Sequence, residues 1–346
     1  MPLHIFFAKK GTDVIAFRRS PLVLLTALAL FAAAASAQSR APGEPRMKVI
    51  LDTDVGDDVD DAFAIDLALA SPEFEILGIS SAWGDTAMRA RMLDRMLCET
   101  GRTEIAVRAG IPTGATAAFT QLPWARAGAA RNLREDAVTF LLQQITAHPD
   151  EITLIALGPL TNIGAAIDRD PATFRRLKRV VLMGGSIYRG YDKKGSAAVQ
   201  PAEPEYNIAR DPRSAQKLMR SGVPVFMLPL DSTQIRFDEA RRSELATVST
   251  PMTDALQILI AEWSHATRQA NPTLFDAVAV AYAIDAQTCA MTPVHIEVDD
   301  VGLTRPTPGV ANAQACLLPK EDAFFNLLMP RLLHQRLIGN GACLAR

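Results

Sequence analysis

Six carboxylates fall within ten residues of this chain, in the run Asp52-Thr53-Asp54-Val55-Gly56-Asp57-Asp58-Val59-Asp60-Asp61. The run follows a short apolar segment, Val49-Ile50-Leu51, and opens a second, Ala62 to Ala70. Acids strung along a solvated face would need no partner. These stand where a buried strand hands over to a helix, and like charges at such spacing repel unless a cation or raised pKa values relieve them. Gly56 permits the sharp turn that folds the carboxylates onto one point. Oxygen donors with no nearby Cys or His suit a hard cation, Ca²⁺ or Mg²⁺. An EF-hand is excluded: counted from Asp52, its glycine would fall on Asp57 and its terminal glutamate on Phe63.

The elements that must carry this loop alternate. Strands are predicted at Val49–Leu51, Phe74–Ser81, Ile105–Val107, Ile152–Leu157, Val180–Met183, Val225–Leu230 and Val294–Val298. Helices fall between or after them, at Ala62–Ala70, Ala87–Glu99, Glu135–Ala147, Leu160–Ile167, Asp211–Arg220, Met252–Thr267, Leu274–Ile284 and Asp322–Leu337. Such alternation implies right-handed crossovers. The fold class is α/β, a single domain with a mostly parallel, Rossmann-like open sheet and helices on both faces. Ligands of such sheets sit beyond the carboxyl ends of the strands. The stretch Ile111–Ala130, rich in Pro, Gly, Ala and Thr, reads as a long loop of the kind that forms lids. A second irregular stretch is Tyr188–Pro204.

The first 37 residues differ from the rest: a basic start with Lys9, Lys10, Arg18 and Arg19, a 15-residue uncharged run from Pro21 to Ala35, and Ala35-Ser36-Ala37. This is the pattern of a secretory signal peptide cut after Ala37, and the run is shorter than the ~20 residues of a spanning helix. Residues 1–37 are thus expected to be a signal peptide, 38–47 a linker and 48–346 the catalytic domain. The mature protein is expected to be exported to the periplasm without a membrane anchor. A net charge of -2 and 6% aromatic residues give no footing for nucleic acid. Cys98, Cys289, Cys316 and Cys343 form no C-x-x-C pair, which leaves zinc unsupported. An oxidising compartment would permit disulfides, but buried thiols are the plainer expectation.

The acidic run resembles the N-terminal signature of the inosine–uridine-type nucleoside hydrolases, D-[TC]-D-x-G-x-D-D followed by a small-residue helix. Further segments resemble that family in order: Trp83-Gly84-Asp85-Thr86, Ala156-Leu157-Gly158-Pro159-Leu160-Thr161-Asn162, Met183-Gly184-Gly185, Glu205-Tyr206-Asn207 and Leu274-Phe275-Asp276. Together they span nearly the whole mature chain. The resemblance implies hydrolysis of the N-glycosidic bond of ribonucleosides by a calcium-bound water. It implies Ca²⁺ held by Asp54, Asp61, the carbonyl of Leu157 and Asp276, with Asp54 also the general base. Asp60, Asp85, Glu205 and Asn207 would hold the ribose hydroxyls, and Asp52 and Asp57 would support the loop from behind. The substrate partner implied is a small-molecule nucleoside, and homo-oligomers are common in the family.

Two departures matter. Asp57-Asp58-Val59-Asp60-Asp61 is two residues longer than the commoner G-x-D-D spacing. Asp60-Asp61 is matched to the family pair because Ala62-Phe63-Ala64-Ile65 continues the helix, which leaves Asp57 an alternative holder of one of those roles. Many members carry a His before the late Asp, where it protonates the departing base; here that residue is Phe275. His265 is a candidate replacement, while His148, His295 and His334 read as structural. Trp83, Trp124 and Trp263 are expected in the core. Two rival readings remain open. Asp52-Thr53-Asp54 after a strand fits a haloacid-dehalogenase-like Mg²⁺ phosphatase, though Met183-Gly184-Gly185-Ser186 lacks the later acids. A non-enzymatic periplasmic ribose or nucleoside binding protein would need no such acid cluster.

Overall fold

Apolar runs that are buried on both sides make strands of a covered sheet, and these do. In the computed structural model, residues 45–114, 118–129, 136–193, 197–339 and 343 are described. The proposed signal peptide and residues 38–44 of the linker lie outside the described residues. The strands are β1 (Met47–Thr53), β2 (Phe74–Ser81), β3 (Ala106–Ala109), β4 (Thr153–Ala156), β5 (Arg179–Met183), β6 (Val225–Leu228), β7 (Cys289–Val294), β8 (Ile296–Val298), β9 (Thr304–Pro306) and β10 (Ala313–Pro319). Eight of them form one sheet in the order β3-β2-β1-β4-β5-β6-β10-β7. Every pairing in it is parallel except β10 with β7. β8 and β9 make a separate antiparallel hairpin.

Along β1, Val49 and Leu51 enter one apolar layer and Ile50 the other, as the two-residue period of a strand requires. The first layer is closed by α1 (Asp60–Leu69) and α2 (Thr86–Glu99), and by three helices late in the chain (Pro251–Thr267, Phe275–Ile284 and Glu321–His334). The second is closed by helices Ala137–Ala147, Thr161–Arg169 and Pro212–Arg220. The mostly parallel α/β sheet with helices on both faces is therefore present, within one compact unit from Pro45 onward. No helix among the described residues is long and apolar enough to cross a membrane.

Three expectations are corrected. The strand expected at Val294–Val298 is two strands, because the chain turns at His295, whose Nδ1 meets the Val310 carbonyl at 2.7 Å. Its real partner, β10, reads Ala-Gln-Ala-Cys-Leu-Leu-Pro and lacks the β-branched residues that announce a strand. The loop at Ile111–Ala130 contains a short helix, α3 (Leu122–Ala127), with Trp124 buried under the Arg95 guanidinium, 3.9 Å from the ring centroid.

The cysteines are not free thiols. Cys289–Cys316 ties the antiparallel edge strands, and Cys98–Cys343 ties the last turn of α2 to the C-terminal tail. Their Cα atoms are 5.9 and 5.5 Å apart, inside bridging reach. Sequence separation hid both pairings. Thiol titration of denatured, unreduced protein is expected to find none free. Replacing Cys98 and Cys343 by Ser is expected to cost about 2–4 kcal/mol in urea unfolding. A titratable thiol in the native preparation would contradict the pairing.

Candidate active site

The sheet twists its carboxyl edge into a floor, and four backbone breaks deliver the acids there. β1 ends at Thr53, and the chain turns through Gly56 at φ +124°. A side chain at that position would collide with the Phe119 ring, so both the conformation and the contact require glycine. The chain then enters α1, whose first turn carries Asp60 and Asp61. The helix Phe275–Ile284 brings Asp276 in its own first turn. Acids at helix N-termini gain about 0.3–1 kcal/mol from the backbone dipoles, and here two such ends face each other.

The contacts are tight. Asp276 N donates to Asp60 Oδ2 at 3.1 Å. Thr53 Oγ1 donates to Asp61 Oδ1, and the Asp61 and Asp276 carboxyls hydrogen bond to each other. One oxygen from each of Asp60, Asp61 and Asp276 lies within 4.8 Å of the others. Asp54 stands on the adjoining wall against Gly158, where a Cβ would come within 2.8 Å of its Oδ1. Burial first, and neighbouring carboxylates second, push Asp54, Asp60 and Asp276 well above the usual carboxylate range. Burial raises Asp61 to about 7 and Asp58 to about 6.

A magnitude decides what this means. Two charges about 4 Å apart repel by about 4 kcal/mol at an effective dielectric of 20. Three such pairs approach the whole stability of a domain, about 5–15 kcal/mol. The cluster therefore takes up protons or a cation. All-oxygen donors around one point, with no Cys or His among them, fit Ca²⁺ or Mg²⁺.

The other expected residues divide. Asn207 Nδ2 donates to the Leu157 carbonyl at 3.0 Å and to Met183 O at 3.1 Å, so it joins the ends of β4 and β5 beneath the acids. Glu205 caps its helix (Tyr206–Arg210), accepting from the backbone N–H groups of Gly185, Asn207 and Ile208. Both line the cavity, as do Leu157 and Asp57. Asp52 lies behind the loop, accepting from Ser80 Oγ and, at 2.8 Å, from Asn162 Nδ2; burial lifts it to about 6. Asp85 is corrected. It is exposed, caps α2 through Met88 N at 3.0 Å, and does not line the cavity.

Above the acids opens a cavity of about 370 Å³, within the range of small-molecule sites. Phe275, Tyr191, Tyr206 and Trp263 supply its aromatic walls. Trp263, expected only in the core, reaches the cavity and its indole donates to Asp58. His265 is exposed and outside the lining. Phe275 meets Tyr191 edge-on at 6.2 Å between ring centroids and offers no proton.

Sequence reasoning missed Arg89. It is 2% exposed and donates to the carbonyls of Asp54 and Val55 and to Asp57 Oδ2, the last at 2.8 Å. The signal that could have found it is an arginine on the apolar stripe of α2, between Ala90 and the loop it must face.

Known proteins resemble this chain along its length. A segment of 216 residues is 31% identical to uridine nucleosidase 1 of Arabidopsis thaliana, covering 57% of this chain and 61% of that protein. A longer one, of 276 residues, is 27% identical to the pyrimidine-specific ribonucleoside hydrolase RihB of Escherichia coli, covering 73% and 83%. Against the curated relatives of plants the chain spans only 61–64% of their length. The solved purine-preferring ribonucleoside hydrolase of Gardnerella vaginalis superposes with a TM-score of 0.68 at 26% identity, over 83% of this chain and 98% of that one. The family model described as inosine-uridine preferring nucleoside hydrolase matches residues 49–325, most of the described fold, and the chain belongs to that family.

Proposed function

We propose that this protein hydrolyses the N-glycosidic bond of ribonucleosides to ribose and free base, with Ca²⁺ held at its acidic floor. The observation that carries this reading is the convergence of Asp60, Asp61 and Asp276 beneath an aromatic-walled cavity. Asp54, Asp61, Asp276 and the Leu157 carbonyl are the holders of the cation, with Asp60 in reach of the same point. When bound, the cation would acidify a water and grip vicinal ribose hydroxyls. Asp54 takes the proton of the attacking water. The carboxylate-rich floor favours the positive charge that grows on the ribose as the bond breaks. Asn207 and Glu205 hold the cavity's base in place, and the aromatic wall receives the nucleobase and excludes water.

A phosphatase is disfavoured by charge: among the described residues the cavity is lined by seven carboxylates and by no Lys or Arg. A binding protein with the same pocket would show no turnover. We also propose that the protein works outside the cytoplasm, in the periplasm. The signal-peptide pattern supports this, and so do two disulfides, which persist in oxidising compartments. Natively expressed protein is expected to begin at Gln38; an intact Met1 in the cytosolic fraction would overturn the localisation.

Calcium should raise the melting temperature, and Asp61→Ala should remove that effect. A carboxyl that titrates higher in the folded chain than its unfolded ~3.9 holds extra protons when folded, so folding loses stability as pH rises through the folded value. With Asp52 and Asp58 near 6 and Asp61 near 7, chelated protein is expected to lose stability from about pH 4 to pH 7. Calcium should offset that loss most at the upper end. Asp54→Asn is expected to cost about 10²–10⁴ in turnover. Indifference to calcium and chelator, or near-normal turnover by Asp54→Asn, would sink the corresponding assignment.

The leaving group gives a sharper expectation. Phe275 cannot donate a proton, and burial pushes the Tyr191 hydroxyl above its ordinary range, which weakens it as an acid. Activation at the sugar should then dominate. p-Nitrophenyl riboside, whose leaving group needs no proton, is expected to be cleaved much faster than inosine, and His265→Ala should change neither rate. Equal rates, with inosine cleavage lost in His265→Ala, would show that an acid is present.

A further inference from the structure

Arg89 spends its donors on the outer side of the acidic loop and on the turn that follows β2. Its Nε donates to Trp83 O at 2.8 Å, one terminal nitrogen to Val55 O at 2.9 Å and to Asp54 O, and the other to Asp57 Oδ2 at 2.8 Å. The Phe119 ring lies 5.2 Å from the guanidinium, and the same ring fills the space beside Gly56. Gln121 N holds the Gly56 carbonyl at 3.1 Å, and Thr120 Oγ1 and Gln121 Nε2 hold those of Asp57 and Asp58, at 2.7 and 2.6 Å.

Three consequences follow from chemistry. Backbone carbonyls are ordinary ligands of calcium loops, and Arg89 draws those of Asp54 and Val55 to itself. With its carbonyl fixed on Arg89, Asp54 has its carboxylate against Gly158, on the cavity side. Trp83 sits at φ +62°, a conformation that costs a bulky residue about 1–3 kcal/mol and persists only where neighbours over-determine it. Its carbonyl is the one that accepts from Arg89 Nε. Asp57, the carboxylate partner, belongs to the loop that is two residues longer than the commoner family spacing.

We propose that Arg89 is the positioning residue of the cation site: its planar fork, anchored by Asp57, fixes the direction of the Asp54 carboxylate and thereby sets calcium affinity. This rests on the calcium-dependent reading above. A lysine could supply the charge but not the fork, since its three donors radiate from one point. Charge and geometry are therefore separable by experiment.

The test uses the full mature protein stripped with chelator. Calorimetric calcium titration, melting temperature in chelator, and kcat and KM on p-nitrophenyl riboside are measured for wild type, Arg89→Lys, Asp57→Ala and Asp57→Asn. Arg89→Lys is expected to weaken calcium binding by about 10–100-fold and to lower kcat more than it raises KM. Asp57→Ala should weaken calcium by about tenfold, and Asp57→Asn, which can still accept from Arg89, should recover most of that loss. If Arg89→Lys does not fold, the Asp57 pair decides. Asp57→Asn as weak as Asp57→Ala would mean that Asp57 acts by charge on the cation, which overturns the clamp. Wild-type calcium affinity in both Arg89→Lys and Asp57→Ala overturns it too. A wild type that binds no calcium would remove the cation assignment and the clamp together.

Discussion

Everything around the site answers to one constraint: too many carboxylates are buried too close together. Asp54, Asp60, Asp61 and Asp276 are each under one-tenth exposed. Solvating a buried charge with protein costs several kcal/mol per ion after relaxation. The fold offsets part of that with two helix N-termini, the Thr53 hydroxyl and the Asp276 amide. None of these brings a full positive charge. Arg89 does, but it lies on the far side of the loop and is committed to backbone carbonyls and Asp57. A positive charge is therefore needed from outside the chain, and the cavity is where it can enter.

That constraint accounts for the economy of the surrounding fold. Parallel strands end together, so β1, β4 and β5 bring Asp52 to Asp54, Leu157 and Met183 to one edge without long connections. Small residues follow at the points of closest approach: Gly56 beside Phe119, and Gly158 beside Asp54. Two polar residues under the floor tie distant segments together. Glu205 fastens a helix start to the Gly185 turn, and Asn207 ties two strand ends. Rigidity there is what allows charge to be held where solvent would otherwise disperse it.

The sheet and the acidic loop were legible in the sequence for physical reasons. Val49-Ile50-Leu51 and Val180–Met183 are buried on both faces and so read as unbroken apolar runs. A dense cluster of acids directly after such a run is costly to fold unless something binds it. The remaining site was legible only through family resemblance, since the part proposed for Leu157 is a backbone carbonyl that no side-chain pattern announces. Asp85 caps α2, a role that a short Gly-Asp-Thr motif serves as readily as a place in a site. Trp263 and Arg89 were missed because an aromatic or an arginine on a helix face looks the same whether it meets core, solvent or a catalytic loop. The strand β10 was missed because alanine and cysteine carry little preference for strand, and its place is set by neighbours far away in sequence.

The bridge from Cys98 to Cys343 spans 245 positions. It closes a covalent ring that contains Leu157, Glu205, Asn207 and Asp276, while Asp54, Asp60 and Asp61 hang from its N-terminal side. One broken peptide bond anywhere inside the ring yields two fragments that cannot part. A molecule built this way tolerates a nick that would dismember an unbridged chain, a property suited to surroundings where peptidases are common and resynthesis is remote.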